Sequence, residues 1–258
     1  QAVLVDALVT QNGRPVSGLT AADFEVRDNG VLQTIDLLDA ANLPVNAVLA
    51  LDTSASTAGA RLRDLTAATD ALLDGLRPVD RAALTTFSQV VSPRVPLTPD
   101  LSSIREALRS INPDGETAAL DGIYAALTAT LAETGRSLVV ICTDGRDTRS
   151  WLDADELLAA ARHANAVIDV VATGSARQWP VLRDLTDATG GQTIAVESSR
   201  QIRAQFESIL REFRSRYVLT FVPVGVADGG FHRLDVRVRG GRLTVKARPG
   251  YIGGGGGQ

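Results

Sequence analysis

The chain has 258 residues, 45% hydrophobic and 22% charged, with a formal net charge of -4. That is enough apolar material for one large α/β domain or a domain with a small companion, and the mild acidity argues against nucleic acid, whose phosphates need a basic face. A single cysteine, Cys142, excludes an internal disulfide and zinc centres built from several thiolates, and no run approaches the roughly 18 apolar residues of a membrane span.

No signal peptide is read at the start, and the chain opens on Gln1 without a methionine, as a mature or trimmed polypeptide would. Residues 1–43 read as β. "AVLVDALVT" is apolar and β-rich, "QNGRPVSG" is a turn cluster, and "FEVRDNGVLQTI" carries Asn29-Gly30 between strand residues, a strong hairpin signal. From residue 44 strands and helices alternate. "NAVLALD" is a continuous apolar run, as a strand buried on both faces requires. Leu62, Leu65, Leu72 and Leu76 follow at helical spacing, then the strand "AALTTFS". In "VVSPRVPLT", Pro93 and Pro96 each remove a ladder donor, so an edge strand is predicted. Ile104, Leu108 and Ile111 mark a short helix, and Leu120, Ile123, Tyr124, Leu127 and Leu131 a longer amphipathic one. "SLVVICTD" is a second buried strand ending in an acid. A helix at 153–163, the strand "AVIDVVAT", a helix at 180–188, a short strand at "QTIAV" and a last helix through Ile202, Phe206, Ile209, Leu210 and Phe213 complete the alternation. Its arginine-rich stretch, "RQIRAQFESILREFRSR", reads as a solvated face.

This pattern predicts an α/β fold with a doubly wound, mostly parallel six-stranded sheet flanked by helices over 44–215. The chain returns to β over 216–252, and 253–258 is a glycine-rich tail. The two terminal β segments are expected to pair into one small accessory sheet.

Ligands of open α/β sheets bind beyond the carboxyl ends of the strands. Three polar clusters are predicted there: Asp52, Ser54 and Ser56 in "DTSAS", Thr117 in "NPDGETAALDG", and Asp144 in "CTDGRDT". They offer carboxylate and hydroxyl oxygens and no soft donor, which favours Mg2+, Mn2+ or Ca2+. Taken alone, each has a plainer reading. Asp52 and the serines would suit a helix cap, Thr117 a cap before "AALDG", and Asp144-Gly145 a strand-end turn. Asp114, Glu116, Asp121 and Asp147 read as loop acids or caps, with Asp147 the best placed to adjust charge at the rim. Cys142 reads as an inert buried thiol, His163 as a surface or capping residue, and Trp151 and Trp179, near loops on the predicted metal side, as core anchors, with part of a binding surface as the alternative.

Together, "DTSAS", Thr117 and Asp144 resemble the metal-ion-dependent adhesion site of von Willebrand factor type A (VWA) domains, whose pattern is D-x-S-x-S, then T, then D. The flanking "GRPVSGLTAADFEVRDNGVLQTI" and "YVLTFVP…HRLDVRV…LTVKARPGYI" are similar to a group of VWA-related bacterial proteins, many of them exported. The resemblance implies that Ser54, Ser56 and Thr117 contact a cation directly, while Asp52 and Asp144 contact it directly or through water. It implies that a Glu or Asp of a partner protein completes the shell, in an extracellular or periplasmic setting. Cation-dependent protein binding in adhesion or assembly is therefore expected. A structural protein with incidental metal is the rival reading, and a metal-dependent hydrolase the weaker one.

No enzyme is read. An aspartyl phosphotransferase of the haloacid dehalogenase type needs an acid at Ser54 and a lysine, and Lys246, the only lysine, lies in the wrong region. A subtilisin-like protease needs a His-Gly element and a serine elbow, but His163 is followed by Ala164. G-x-S-x-G, H-E-x-x-H and a phosphate-binding G-K pair are absent.

Overall fold

The computed structural model describes residues 2–131 and 135–253. In chain order the strands are β1 (Val3–Gln11), β2 (Arg14–Pro15), β3 (Phe24–Asp28), β4 (Val31–Gln33), β5 (Asp36–Leu38) and β6 (Val45–Asp52). The helical region runs α1 (Ala60–Asp74), β7 (Arg81–Phe87), β8 (Val91–Thr98), α2 (Leu101–Arg109), α3 (Ala119–Thr128), β9 (Arg136–Thr143), α4 (Ala154–His163), β10 (Ala166–Ala172), α5 (Pro180–Thr189), β11 (Thr193–Ala195) and α6 (Ile202–Arg214). The chain closes with β12 (Tyr217–Phe221), β13 (Gly230–Val238), β14 (Thr244–Lys246) and β15 (Gly250–Gly253). Beyond Gly253, the glycine-rich tail lies outside the described residues.

The central sheet has the order β11-β10-β9-β6-β7-β8, parallel except for β8, which runs antiparallel to β7 at the edge. Every residue of β6, β9 and β10 is buried, because helices cover both faces. One face packs Leu49, Leu51 and Val140 against α1, α2 and α6 through Leu72, Ile104, Phe206 and Phe213. The other packs Val48, Ala50 and Ile141 against α3, α4 and α5 through Ile123, Leu157 and Leu185. The five parallel strands point their carboxyl ends to one edge, where the three polar clusters lie. No helix among the described residues is long and apolar enough to cross a membrane.

The terminal segments form two sheets where one was expected. The first has the order β14-β1-β12-β5, with β2 on β1, and the second β15-β13-β3-β4. Val5, Ala7 and Val9 of the first share a core with Phe24, Val26, Leu234 and Tyr251 of the second. The reason is period-two burial: β3 alternates buried and half-buried residues, so each sheet has one apolar face, and two such faces cover each other. Asn29-Gly30 makes the predicted hairpin, with φ of 47° and 86°.

Two helical expectations change. Helix α3 ends at Thr128, so Leu131 falls beyond it and is exposed, and Tyr124, inside the helix, is exposed as well. The arginines of this last stretch are not all solvated: Arg214, the last residue of α6, pairs with Asp80 at 2.7 Å, and Arg216 is buried with its Nη1 donating to the Gly190 carbonyl.

Asp169, at the centre of β10, is buried, and burial pushes its carboxyl up to about 6, despite the pull of nearby Arg216. A carboxyl raised in the folded state stabilises the fold below its unfolded value, about 3.9, and loses that contribution as pH rises through about 6. Asp169→Asn should therefore match wild type in urea unfolding near pH 4. Above pH 7 it should be the more stable, by on the order of 3 kcal/mol. A constant gap across that range would show that Asp169 does not titrate in this window.

Candidate metal centre

The centre starts where β6 runs out. Asp52, 1% exposed, is the last strand residue. Thr53 keeps to the sheet by donating its N–H to the Phe87 carbonyl at 2.7 Å. The chain then turns back on Asp52, whose Oδ1 accepts from the Ser54 N–H at 2.9 Å and the Ser54 hydroxyl at 2.6 Å. A short 3-10 turn over Ala55–Thr57 follows, pinned by the Thr57 hydroxyl on the Ser54 carbonyl at 2.8 Å. Helix α1 is capped at Gly59, without any side-chain cap bond. Capping by Asp52, Ser54 or Ser56 is thereby ruled out as the role of "DTSAS".

The second and third loops are stitched to the first. Asp114 donates its N–H to the Thr53 carbonyl at 3.1 Å, and Ala55 donates to the Gly115 carbonyl at 3.0 Å. The Thr143 hydroxyl donates to Asp52 Oδ2 at 2.7 Å, and the Ser56 hydroxyl to Asp144 Oδ1 at 2.7 Å. The Ser54 and Ser56 hydroxyl oxygens lie 3.1 Å apart. A continuous polar chain thus runs Thr143–Asp52–Ser54–Ser56–Asp144. It ends on Arg61, whose Nη1 donates to Asp144 Oδ2 at 2.7 Å and to the Ser56 carbonyl at 2.9 Å. Ser56 is exposed, while Asp52, Ser54, Thr117 and Asp144 are buried, so the centre opens to solvent at Ser56.

Thr117 is adjacent but not a member of that chain. Its carbonyl accepts from the N–H groups of Thr148 and Arg149 at 2.9 and 3.2 Å, which ties the second loop to the third. Its hydroxyl faces the third loop, 3.6 Å from where a Cβ on Gly145 would stand. A fourth loop closes the floor. Gly174, at φ 53°, brings its backbone so near the Asp144 carbonyl that a Cβ would lie 2.4 Å from it.

Burial pushes the Asp52 carboxyl up, the hydrogen bonds from Ser54 and Thr143 pull it back, and the Asp144 charge raises it again. Two carboxylates held together among hydroxyls are what a hard cation would relieve. Among the described residues, no three His, Cys, Asp or Glu side chains form a metal-holding group, so a cation here would depend on hydroxyl oxygens. The residues fit such an ion: Ser54, Ser56 and Thr117 supply hydroxyls, Asp52 and Asp144 carboxylates, and no nitrogen or sulfur donor intrudes. Cys142 is buried nearby, and burial raises its thiol far out of the reactive range.

The neighbouring acids are engaged elsewhere. Asp147, read as a loop acid or cap best placed to adjust charge at the rim, caps α3 from the third loop, accepting from the N–H groups of Ala119 at 2.7 Å and Leu120 at 3.3 Å. Asp121 accepts from the Trp151 and Leu152 N–H groups at 3.0 Å each. That hold presents Trp151 at 97% exposure, against its expected place in the core, while Trp179 packs partly buried against the α3–α5 side. The sequence reading missed Thr143, Arg61 and Gly174. Thr143 could have been suspected from its position beside Asp144, but Arg61 carries no motif signal.

The fold is similar to that of solved structures. A von Willebrand factor type A protein from Catenulispora acidiphila aligns over 97% of this chain and 72% of its own, at 14% identity and a TM-score of 0.60. The conserved hypothetical protein BatB from Bacteroides thetaiotaomicron aligns over 66% of this chain and 98% of its own, at 19% identity and a TM-score of 0.55. The vWF domain of the type V pili tip protein Mfa5 from Porphyromonas gingivalis aligns over 66% and 94%, at 11% identity and a TM-score of 0.53. At these identities the likeness concerns the fold. The profile of the von Willebrand factor type A domain matches residues 46–208, which span the central sheet from β6 into α6. The chain belongs to the von Willebrand factor type A domain family.

Proposed function

We propose that this protein binds a partner protein through a divalent cation, Mg2+, Mn2+ or Ca2+, at an intact adhesion-type site. The observation that carries the reading is the polar chain from Asp52 to Asp144, which gathers oxygen donors from separate loops at one exposed edge. Ser54, Ser56 and Thr117 would be the direct ligands. Asp52 holds the Ser54 hydroxyl and Asp144 the Ser56 hydroxyl, each fixing where a lone pair points. The bound cation supplies a Lewis-acidic anchor for a Glu or Asp carboxylate of the partner. Exposed Ser56 marks the side from which that carboxylate reaches the centre, and Trp151, whose backbone Asp121 holds on the Asp144 loop, suits an apolar anchor. We assign this binding to residues 44–215, with 1–43 and 216–252 as the accessory sheets, and no enzymatic step. An extracellular or periplasmic setting goes with this reading, and the place of the similar Mfa5 domain in a pili tip protein is compatible with it.

One observation favours the rival reading of a constitutive assembly module. Arg61 already brings a positive charge to Asp144, which lessens the site's demand for metal. Calorimetric and thermal titration with Mg2+, Mn2+ and Ca2+ separates the two. At about a hundredfold excess over the dissociation constant, the adhesion-type site raises the melting temperature by roughly 5–10 °C. No heat and no shift with millimolar concentrations of all three ions would sink the metal reading. Capture of a partner from native extract should then be lost on adding chelator.

A further inference from the structure

We propose that Arg61 sets the charge of the cation centre, weakening its hold on metal and strengthening the loaded centre's hold on an acidic partner. The inference rests on the metal-binding reading above and goes beyond it in assigning a role outside the five-residue pattern.

Arg61 is the second residue of α1, just past the Gly59 cap, so its position follows from the first loop's geometry. Its guanidinium makes two contacts with the centre. One is to Asp144 Oδ2, the oxygen that Ser56 does not use, and the other to the Ser56 carbonyl. The side chain of Asp144 is only 6% exposed, and that of Arg61 is 53% exposed. The buried carboxylate is thus shared between a serine hydroxyl facing the cation position and an arginine reaching in from solvent. The same small cavity is lined by Asp52, Arg61, Thr143, Asp144 and Ser199. The other acid on this side, Asp64, is occupied by the Ser199 hydroxyl, which leaves Asp144 as the carboxylate Arg61 pairs with.

The charge count gives the consequence. Asp52 and Asp144 together carry two negative charges, which a divalent cation cancels. Arg61 then leaves the loaded centre with a net positive charge at its solvent-facing side. The cation meets a repelling neighbour and a carboxylate already half engaged, so it binds less tightly. An incoming carboxylate meets two positive groups, so it binds more tightly. A residue that merely braced the Asp144 loop would shift both affinities in one direction. A charge-setting residue shifts them in opposite directions.

The test uses the full chain and three variants: Arg61→Gln, which keeps a donor without the charge, Arg61→Lys, which keeps the charge, and Asp52→Ala as the control. Calorimetric titration with Mn2+ at low salt should show Arg61→Gln binding about tenfold more tightly than wild type, and Arg61→Lys close to wild type. The difference should shrink as ionic strength rises, because Arg61 is partly exposed. With Mn2+ bound, acetate serves as the carboxylate probe, read by water-proton relaxation. It should displace metal-bound water less readily in Arg61→Gln than in wild type. Equal or weaker Mn2+ binding by Arg61→Gln overturns the role of Arg61 while leaving the metal reading standing. Mn2+ binding by Arg61→Gln alone supports the proposal in its strongest form. No binding by any form, or unchanged binding in Asp52→Ala, overturns the metal reading and this inference with it.

Discussion

Asp52→Asn should abolish cation binding at millimolar concentrations while making the metal-free protein slightly more stable. Asp52 is a buried acid whose surroundings push its carboxyl up, through desolvation first and the Asp144 charge last. Keeping it charged at neutral pH therefore costs folding energy, which the three hydrogen bonds from Ser54 and Thr143 only partly offset. Asparagine has the same shape without the charge. Its oxygen still accepts from the Ser54 N–H, and the Thr143 hydroxyl can turn to accept from its amide. A gain of up to about 1 kcal/mol in chelator is expected, the pattern of a residue kept for function at the expense of stability. The cation, however, loses one of the two negative charges that would hold it. Affinity should fall by about 100-fold or more, beyond what calorimetry detects for a weak site. Two scans decide it. Wild type should gain melting temperature with Mg2+ and the variant should not, whereas in chelator the variant should equal or exceed wild type. A variant that still responds to Mg2+, or that melts more than about 5 °C lower in chelator, would mark Asp52 as a structural residue.

Arg136→Ala should be the most damaging single substitution away from the centre, costing about 3–5 kcal/mol. Arg136 opens β9, and its side chain is fully buried. Its Nε donates to Asp6 Oδ1 of β1 at 2.8 Å, its Nη2 adds a second bond to the same oxygen, and Nη2 also donates to the Phe213 carbonyl at 2.8 Å. The guanidinium stacks over the Phe213 ring, 4.3 Å from its centroid. One side chain thus joins the central sheet, the end of α6 and the first terminal sheet. Truncation strands Asp6, whose side chain is only 10% exposed, without its counter-charge, and it uncovers the Phe213 carbonyl. Urea unfolding should show the loss directly, with a melting temperature lower by roughly 10 °C. Arg136→Met with Asp6→Leu should recover most of it, because removing both partners leaves neither stranded by loss of the other. If Arg136→Ala costs less than about 1 kcal/mol, the terminal sheets do not depend on this link.

The fold was legible in the chain because burial on both faces leaves a plain mark. The apolar runs of β6, β9 and β10 could belong only to a covered parallel sheet, and Pro93 and Pro96 placed β8 at its edge. Asn29-Gly30 fixed a hairpin by the backbone conformation it permits. Asp52 and Asp144 were legible as acids ending buried strands, and Thr117 through the resemblance of the three clusters to the adhesion-site pattern. What the residues Asp52, Ser54, Ser56, Thr117 and Asp144 bind is our proposal, and the cation titrations are its test.

Tertiary structure decided the rest. Pattern alone did not distinguish one terminal sheet from two, since alternation reports that a strand has an apolar face and not which strand covers it. Nor did it assign Asp147 to the α3 cap, Asp121 to the Trp151 backbone, or Arg61 to Asp144. Arg136 and Asp6, 130 positions apart, meet only because the crossovers bring β9 under β1. Periodicity records how deeply a residue is buried, because burial selects residue type locally. The partner of a polar side chain is chosen by topology, which brings distant loops within hydrogen-bond reach and leaves no trace in the spacing of either one.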